Sequence, residues 1–422
     1  MKRTIIILAM AFTIPAMAQN TYSLNDCRRM AMENNNSLRS AKNISEQDEE
    51  SLKEAYTKYF PKVSASGAAF KSFKDMVNIN TGEQNIKMID KGTFASISAV
   101  QPIFQGGQII NNNKLAKVNI EAGKLQIDKT GNNIILNTEI YYWQIIKILE
   151  KQKTLSSVQK MLTDMQSDVS NSVKAGVTNR NDLLLVDLRL NDIKSQQISL
   201  DNSLVICKML LAQYCGFGNN EFQLQYNIDF NNIPEFPNTL KANHLDAVKN
   251  TVDYKLMQKN IEVCELQRKL EVGKNLPSVG VGASMSYNDL MGGKTNGMLF
   301  ATVSVPISDW WGGSHAIKRK KMAVMNAQND MNDQSQLLQI NMESNWLAVV
   351  NAHEQLKIAK QSINQSEENL RLNQNYYKAG TNKMSDVLDA EYQFQNAHDK
   401  FTDAFADYQQ KITEYKISIN KQ

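Results

Sequence analysis

The sequence predicts a mainly helical protein with a minority of strands, built from one strand and long-helix unit that occurs twice. Three observations predict it: an internal repeat, two long stretches without proline, and short period-two segments bounded by prolines. Tyr59-Phe60-Pro61 leading into Val63-Ser64-Ala65-Ser66-Gly67 returns as Asn275-Leu276-Pro277 leading into Val279-Gly280-Val281-Gly282. Gln101-Pro102-Ile103-Phe104-Gln105-Gly106-Gly107 returns as Val305-Pro306-Ile307-Ser308-Asp309-Trp310-Trp311-Gly312-Gly313. Lys174-Ala175-Gly176, followed by Asp182, returns as Lys378-Ala379-Gly380, followed by Asp386. Marks that keep their order and nearly their spacing are the signature of a duplication.

Residues 1–18 read as a secretory signal: Lys2 and Arg3, an apolar run from Ile5 to Ile14, then Ala16-Met17-Ala18 as a cleavage site. No cysteine follows the cut, so no lipid anchor is expected. The two repeats are then expected over 19–230 and 231–422. With 42% apolar residues and a negative mean hydropathy, the chain is modestly equipped for large compact cores. A net charge of +4, two of it from Lys2 and Arg3, argues against a nucleic-acid partner. Cys27, Cys207, Cys215 and Cys264 lack metal-ligand spacing and read as structural thiols. Cys207 and Cys215 lie two helical turns apart, about 12 Å, too far for a disulfide. Beyond the leader no apolar run approaches the length of a membrane helix, so an exported chain of this kind would enter a membrane with strands.

Four segments have the required pattern: 62–74 and 93–104 in the first repeat, 278–289 and 297–307 in the second. They are rich in Val, Ala, Ser, Gly and Phe, as in Thr93 to Val100 (T-F-A-S-I-S-A-V). Their lengths suit tilted strands of an outer-membrane barrel. The connections 75–92 and 289–296 read as polar external loops. Phe60, Phe104, Trp310 and Trp311 stand at the opposite ends as an aromatic girdle. A soluble sandwich corner with exposed aromatics is the competing reading. Four strands cannot close a membrane barrel, so the barrel reading demands an oligomer.

No proline occurs from Ile103 to Ile233, nor from Ile307 to the C-terminus, as long uninterrupted helices require. Leu155, Val158, Leu162, Met165 and Val169 step by three and four. So do Val186, Leu190, Ile193, Leu200, Leu204 and Leu211 with Gln197 and Cys207, and Ala390, Phe394, Ala397, Phe401, Ala404 and Tyr408. Such a repeat specifies coiled-coil packing. Each series breaks at a glycine, Gly176 or Gly380, which predicts helical hairpins over about 105–215 and 314–419. The stretch from Gln108 to Val173 would reach about 100 Å. Asn326, Gln328, Asn329, Asn332, Gln334, Gln336, Gln339 and Asn341 suit either a water-filled wall or a solvated outer face. Lys318-Arg319-Lys320-Lys321 would meet lipid head groups or, equally, solvent.

Chemistry is absent from the pattern. The four histidines, His244, His315, His353 and His398, are scattered, and no hydrolase or zinc motif occurs. Gly292-Gly293-Lys294-Thr295 has the end of a phosphate loop without its first glycine or its setting. The chain reads as a non-enzyme without cofactor or metal.

Two further stretches carry a resemblance. The first is Leu24-Asn25-Asp26-Cys27-Arg28-Arg29-Met30-Ala31-Met32-Glu33-Asn34-Asn35-Asn36-Ser37-Leu38, echoed at Ala247-Val248-Lys249-Asn250 through Leu256. The second is Tyr377-Lys378-Ala379-Gly380-Thr381-Asn382-Lys383-Met384-Ser385-Asp386-Val387-Leu388-Asp389-Ala390. With the duplicated plan, these make the chain resemble the TolC family of outer-membrane efflux proteins from about Leu24 to its end. The resemblance implies a homotrimer with a shared twelve-stranded β-barrel in outer-membrane lipid, continued across the periplasm by an α-helical coiled-coil barrel. It implies a passive exit duct of a tripartite efflux or type I secretion system. Its partners would be a periplasmic adaptor (membrane fusion) protein and an inner-membrane pump of the RND, ABC or similar class, which would set the substrate.

By motif match the resemblance implies a periplasmic aperture ringed by Asp386 and Asp389, where six carboxylates near one axis would select cations. Helix N-terminal acids favoured by the macrodipole are the plainer account of the same residues. It implies gate links through Tyr377, Asp182 and Asn181. Asn382 stands where the family has an arginine, so the ionic part of the link is missing. Ala175, Gly176 and Val177, with Ala379, Gly380 and Thr381, match the adaptor-docking tips, although each glycine also serves its turn. An exported coiled-coil scaffold or binding protein without a pore is the alternative function, and an enzyme or activator of wall hydrolysis a distant third.

Overall fold

The structure, a computed structural model, describes residues 21–73, 77–80, 85–88, 91–218, 221–289 and 293–421. The expected leader lies outside the described residues. In chain order the elements are β1 (Thr21–Tyr22), α1 (Leu24–Asn34), α2 (Asn36–Thr57), β2 (Lys62–Lys71), β3 (Val77–Asn80), β4 (Asn85–Met88), β5 (Lys91–Gln105), α3 (Gln108–Lys174) and α4 (Arg180–Cys215). The second half continues with β6 (Gln223–Leu224), α5 (His244–Ala247), α6 (Val252–Lys274), β7 (Ser278–Asn288), β8 (Lys294–Ser304), α7 (Asp309–Lys378) and α8 (Met384–Ser418). The duplicated plan of strand pair and long helical hairpin is therefore present: α3 has 67 residues and α7 has 70. No described helix is long and apolar enough to cross a membrane.

The chain divides into two compact units that cut across the repeats. One comprises residues 1–36, 131–241 and 344–417, and the other 37–130, 242–343 and 418–422. The first unit is mainly helical, with the short β1–β6 pair, and takes the hairpin ends of both repeats. Its core joins Leu155, Val158, Leu162 and Val169 of α3 to Val186, Leu190 and Ile193 of α4 and to Met384 and Val387 of α8. All but Met384 and Val387 are seam positions that the three-and-four spacing marks. Each fully buried aliphatic side chain there contributes about 1.5–3 kcal/mol. At the other end of the unit, Arg28 of α1 donates to the buried Glu139 carboxylate at 2.8 Å, and the Trp143 ring N–H lies 3.4 Å from its other oxygen. Cys27 and Cys215 are both fully buried, and the Cys215 Sγ lies 3.5 Å from the Cys27 carbonyl oxygen.

The second unit holds the main sheet. Its strand order is β2-β5-β7-β8, antiparallel throughout, so the repeats meet along β5 and β7, leaving β2 and β8 as edges. Pro102, which has no N–H to offer the ladder, sits at a bulge: Pro102 pairs with Gly280 and Phe104 with Val279, which leaves Ile103 extra. Residues paired across strands share a face. One face carries two rows of serines, Ser64-Ser98-Ser284 and Ser66-Ser96-Ser286. The first two serines of each row are hydrogen-bonded at 3.0 and 2.8 Å. The opposite face carries Val63-Ala99-Ala283-Leu299 and Ala65-Ile97-Met285. Val63, Ile97, Met285 and Leu299 are 67%, 58%, 61% and 87% exposed in the single chain. Within the segment read as a polar loop, β3 and β4 form a small antiparallel hairpin, Val77 opposite Met88. Phe60, Phe104 and Trp311 of the expected girdle are exposed; the side chain of Trp310 lies outside the described residues. Lys320 of the basic run donates to Gln267 of α6 at 2.9 Å.

Candidate periplasmic entrance

The two helical turns are built alike because both repeats end a long helix on Ala-Gly. After α3, the N–H of Gly176 bonds to the Val173 carbonyl at 3.0 Å and that of Val177 to the Ser172 carbonyl at 2.9 Å. After α7, Gly380 bonds to Tyr377 and Thr381 to Tyr376, both at 2.9 Å. This pair of bonds is the Schellman motif, which needs a left-handed residue. Gly176 and Gly380 supply it with φ of +73° and +76°, and a Cβ at either would meet nothing within 4 Å. Backbone conformation, not crowding within the chain, therefore demands glycine. Ala175, Gly176, Val177, Ala379, Gly380 and Thr381 are all exposed.

Past each turn the next helix starts with an aspartate three residues in. Asn179 caps α4, its side chain accepting from the Asn181 N–H at 3.2 Å. Asn181 itself is exposed. Asp182 is half-buried, and its Oδ2 accepts from the Thr178 hydroxyl at 2.7 Å and from the Tyr377 hydroxyl at 3.1 Å. Burial raises the Tyr377 pKa above its ordinary value, so the hydroxyl remains a donor at neutral pH. Thus two of the four residues in the expected link are brought together. Asn382 is not: its amide donates to Asn373 Oδ1 of its own hairpin at 2.8 Å.

Asp386, the counterpart of Asp182 in the second repeat, is exposed. Its Oδ2 accepts from the Lys383 N–H at 3.2 Å and its Oδ1 from the Ser385 hydroxyl at 3.3 Å. It therefore caps α8, as acids in a first turn do, while still presenting its charge to solvent. Asp389 lies one turn on and is exposed. Between the two hairpin ends lies a groove of about 810 Å³, with Met161, Met165, Val169 and Val387 in its lining beside Lys160, Asp164, Asp168, Lys378 and Lys383. Its lining mixes apolar side chains with charges of both signs. Among the described residues, no cluster of three or more His, Cys, Asp or Glu is placed to hold a metal.

A second network stands two turns above Asp182 and was not singled out from the sequence. Arg189 of α4 grips Glu391 of α8 with two nitrogens, Nε to Oε2 at 2.8 Å and Nη2 to Oε1 at 3.2 Å. Glu391 is fully buried and the Arg189 side chain is 12% exposed. Arg189 Nη2 also donates to Gln395 Oε1 at 2.6 Å, and the Gln395 amide donates to Gln196 Oε1 at 3.0 Å. The sequence signal is the spacing Glu391-Gln395-Asp399-Asp403, one polar residue every four along α8 beside the apolar seam.

Residues 246–414 match the family model described as outer membrane efflux protein. No curated protein sequence matches the chain. In fold it is similar to the outer membrane channel CmeC of Campylobacter jejuni, with a TM-score of 0.81 at 15% identity over 94% of this chain and 85% of that one. The outer membrane protein VceC of Vibrio cholerae gives 0.76 at 13% identity, covering 94% and 96% of the two chains. The MtrE outer membrane channel of Neisseria gonorrhoeae, in an open state, gives 0.76 at 15%, covering 94% and 89%. Residues 246–414 are thus similar to the outer membrane efflux protein family, and nearly the whole chain has the fold of these outer-membrane channels.

Proposed function

We propose that the chain is one protomer of a homotrimeric duct in the outer membrane, the passive exit of a tripartite efflux or type I secretion system. The sheet is the observation that carries this reading. It has ten- and eleven-residue strands at its edges, a face of exposed aliphatic side chains, and an opposite face of serine rows. Such a sheet is unstable alone in water, since both edges expose unpaired backbone groups and one face exposes Leu299 and Val63. Three copies joined edge to edge would pair every edge, turn the aliphatic face to lipid and leave the serines on a wet lumen. Each repeat, over 19–230 and 231–422, then supplies two strands and one helical hairpin per protomer.

The family's channels are trimeric and work with an adaptor and an inner-membrane pump, which supports the same assembly here. The exposed turns at Gly176 and Gly380, with the groove between the hairpin ends, are the surface offered to a periplasmic adaptor. Asp386 and Asp389 would form the acidic ring of the aperture, and the Tyr377–Asp182 bond would hold it shut. Extraction from membranes with and without detergent, followed by light scattering, tests the assembly. A detergent-dependent particle of three chains is expected, whereas a monomer released without detergent would return the chain to a soluble scaffold.

A further inference from the structure

We infer that Arg189 and Glu391 form a second latch, which holds α8, and with it Asp386 and Asp389, against α4 in the closed duct. The inference rests on the duct reading above. The two contacts made on α4 come from different helices. Tyr377 is the second-last residue of α7, so its bond to Asp182 pins the end of that helix. Glu391 belongs to α8, the helix that carries the aperture acids. Asp386 precedes Glu391 by five residues and Asp389 by two, less than about 8 Å along one rigid helix, so the acids move with Glu391.

The chemistry makes this contact a switch rather than a cushion. The apolar packing of Met384 and Val387 is non-directional and tolerates small sliding. A two-nitrogen grip on a carboxylate fixes both register and angle. Because Glu391 is fully buried, drawing α8 away from α4 would strand its charge before water reached it, and buried pairs are broken only at high cost. Gln395 and Gln196 tie the same arginine back to α4, and the Tyr392 ring lies 5.4 Å from the guanidinium, so Arg189 has a single well-defined position. Asn382, standing where the family has an arginine, bonds within its own hairpin. Arg189–Glu391 is thus a buried ionic link between α4 and α8, where Asn382 makes none.

The test is single-channel recording from the full-length trimer in planar bilayers. The variants are Arg189→Glu, Glu391→Arg, the double swap, and the double variant Arg189→Met/Glu391→Met. The methionine pair guards against misfolding, because apolar replacement of a buried pair commonly preserves stability. Each single reversal and the methionine pair should raise open probability by about tenfold or more, and the swap should return it toward wild type. Amide exchange in the first turns of α8 should quicken in the methionine pair. A folded, trimeric methionine pair that gates and exchanges as wild type does would overturn the latch, as would a swap as leaky as either single reversal. Recording Asp386→Ala/Asp389→Ala in parallel separates the two levels. If that variant and the wild type pass no current, the duct reading falls and the latch with it; if both conduct and the methionine pair behaves as wild type, only the latch falls.

Discussion

Replacing Tyr377 with phenylalanine removes one hydroxyl and keeps the ring that packs against the hairpin core. In the wild type that hydroxyl lies 3.1 Å from Asp182 Oδ2, and the same oxygen keeps the Thr178 hydroxyl at 2.7 Å when the tyrosine is truncated. The carboxylate is therefore not orphaned, and the loss is that of one hydrogen bond to a charged acceptor, about 1.5 kcal/mol per protomer. If the three protomers open together, the sum is about 4–5 kcal/mol and the closed-to-open ratio falls by about a thousandfold; if each moves alone, it falls by about tenfold. Open probability at fixed voltage measures this directly. Asp182→Ala should open the duct further, since Tyr377 and Thr178 then both lose their acceptor. The double variant Tyr377→Phe/Asp182→Ala should match Asp182→Ala alone. An unchanged open probability in Tyr377→Phe, or additive effects in the double variant, would refute the reasoning.

Three further outcomes follow from the helical unit. Burial pushes the Asp399 carboxyl up to about 6, and its Oδ1 has no hydrogen-bond partner. With a native pKa above the unfolded one, the folded protein holds an extra proton between about pH 4 and 6, so stability falls as pH rises through that window. Asp399→Asn should accordingly stabilise the protein near neutral pH by about 1–2 kcal/mol, allowing for partial exposure, and give little near pH 4. Unfolding curves at the two pH values check this, and an equal gain at both would contradict it. Gly176→Ala or Gly380→Ala forces a Cβ into a left-handed turn at a cost of about 1–2 kcal/mol. The last turn of α3 or α7 should then exchange its amides faster while trimer formation is unchanged; loss of the trimer would contradict the local account. Hydrogen bonding to Cys215 and burial raise the Cys27 pKa, and both thiols are fully buried, whereas Cys264 is half-exposed. Alkylation of native protein followed by peptide mapping should label Cys264 first and reach Cys27 and Cys215 only after denaturation.

What was legible in the sequence was whatever short-range chemistry dictates. Prolines at 61, 102, 277 and 306 bracket the strands because proline cannot serve a ladder or a helix interior, and Gly176 and Gly380 end helices because only glycine enters the left-handed turn cheaply. The seam from Leu155 to Val169 was readable because helical period and burial coincide there. Pairings between distant residues were not. Arg189 and Glu391 lie 202 positions apart, and Cys27 and Cys215 lie 188 apart, so no local pattern joins them. The β3–β4 hairpin is not legible in the sequence because Val77–Asn80 and Asn85–Met88 are too short and polar to stand out from a loop. At the hairpin ends, the resemblance points to Tyr377 and Asp182, whose side chains lie 3.1 Å apart. That Asp386 caps its own helix as well as facing solvent required the geometry.

The central claim is a pore narrowed by acids on α8. It is tested most directly by single-channel conductance of detergent-purified trimer in planar bilayers, wild type beside Asp386→Ala/Asp389→Ala. The account predicts a small cation-selective conductance that grows and loses selectivity in the double variant. A conducting pore indifferent to both substitutions would remove the acids from the aperture, and silence from folded protein of either form would contradict the duct itself.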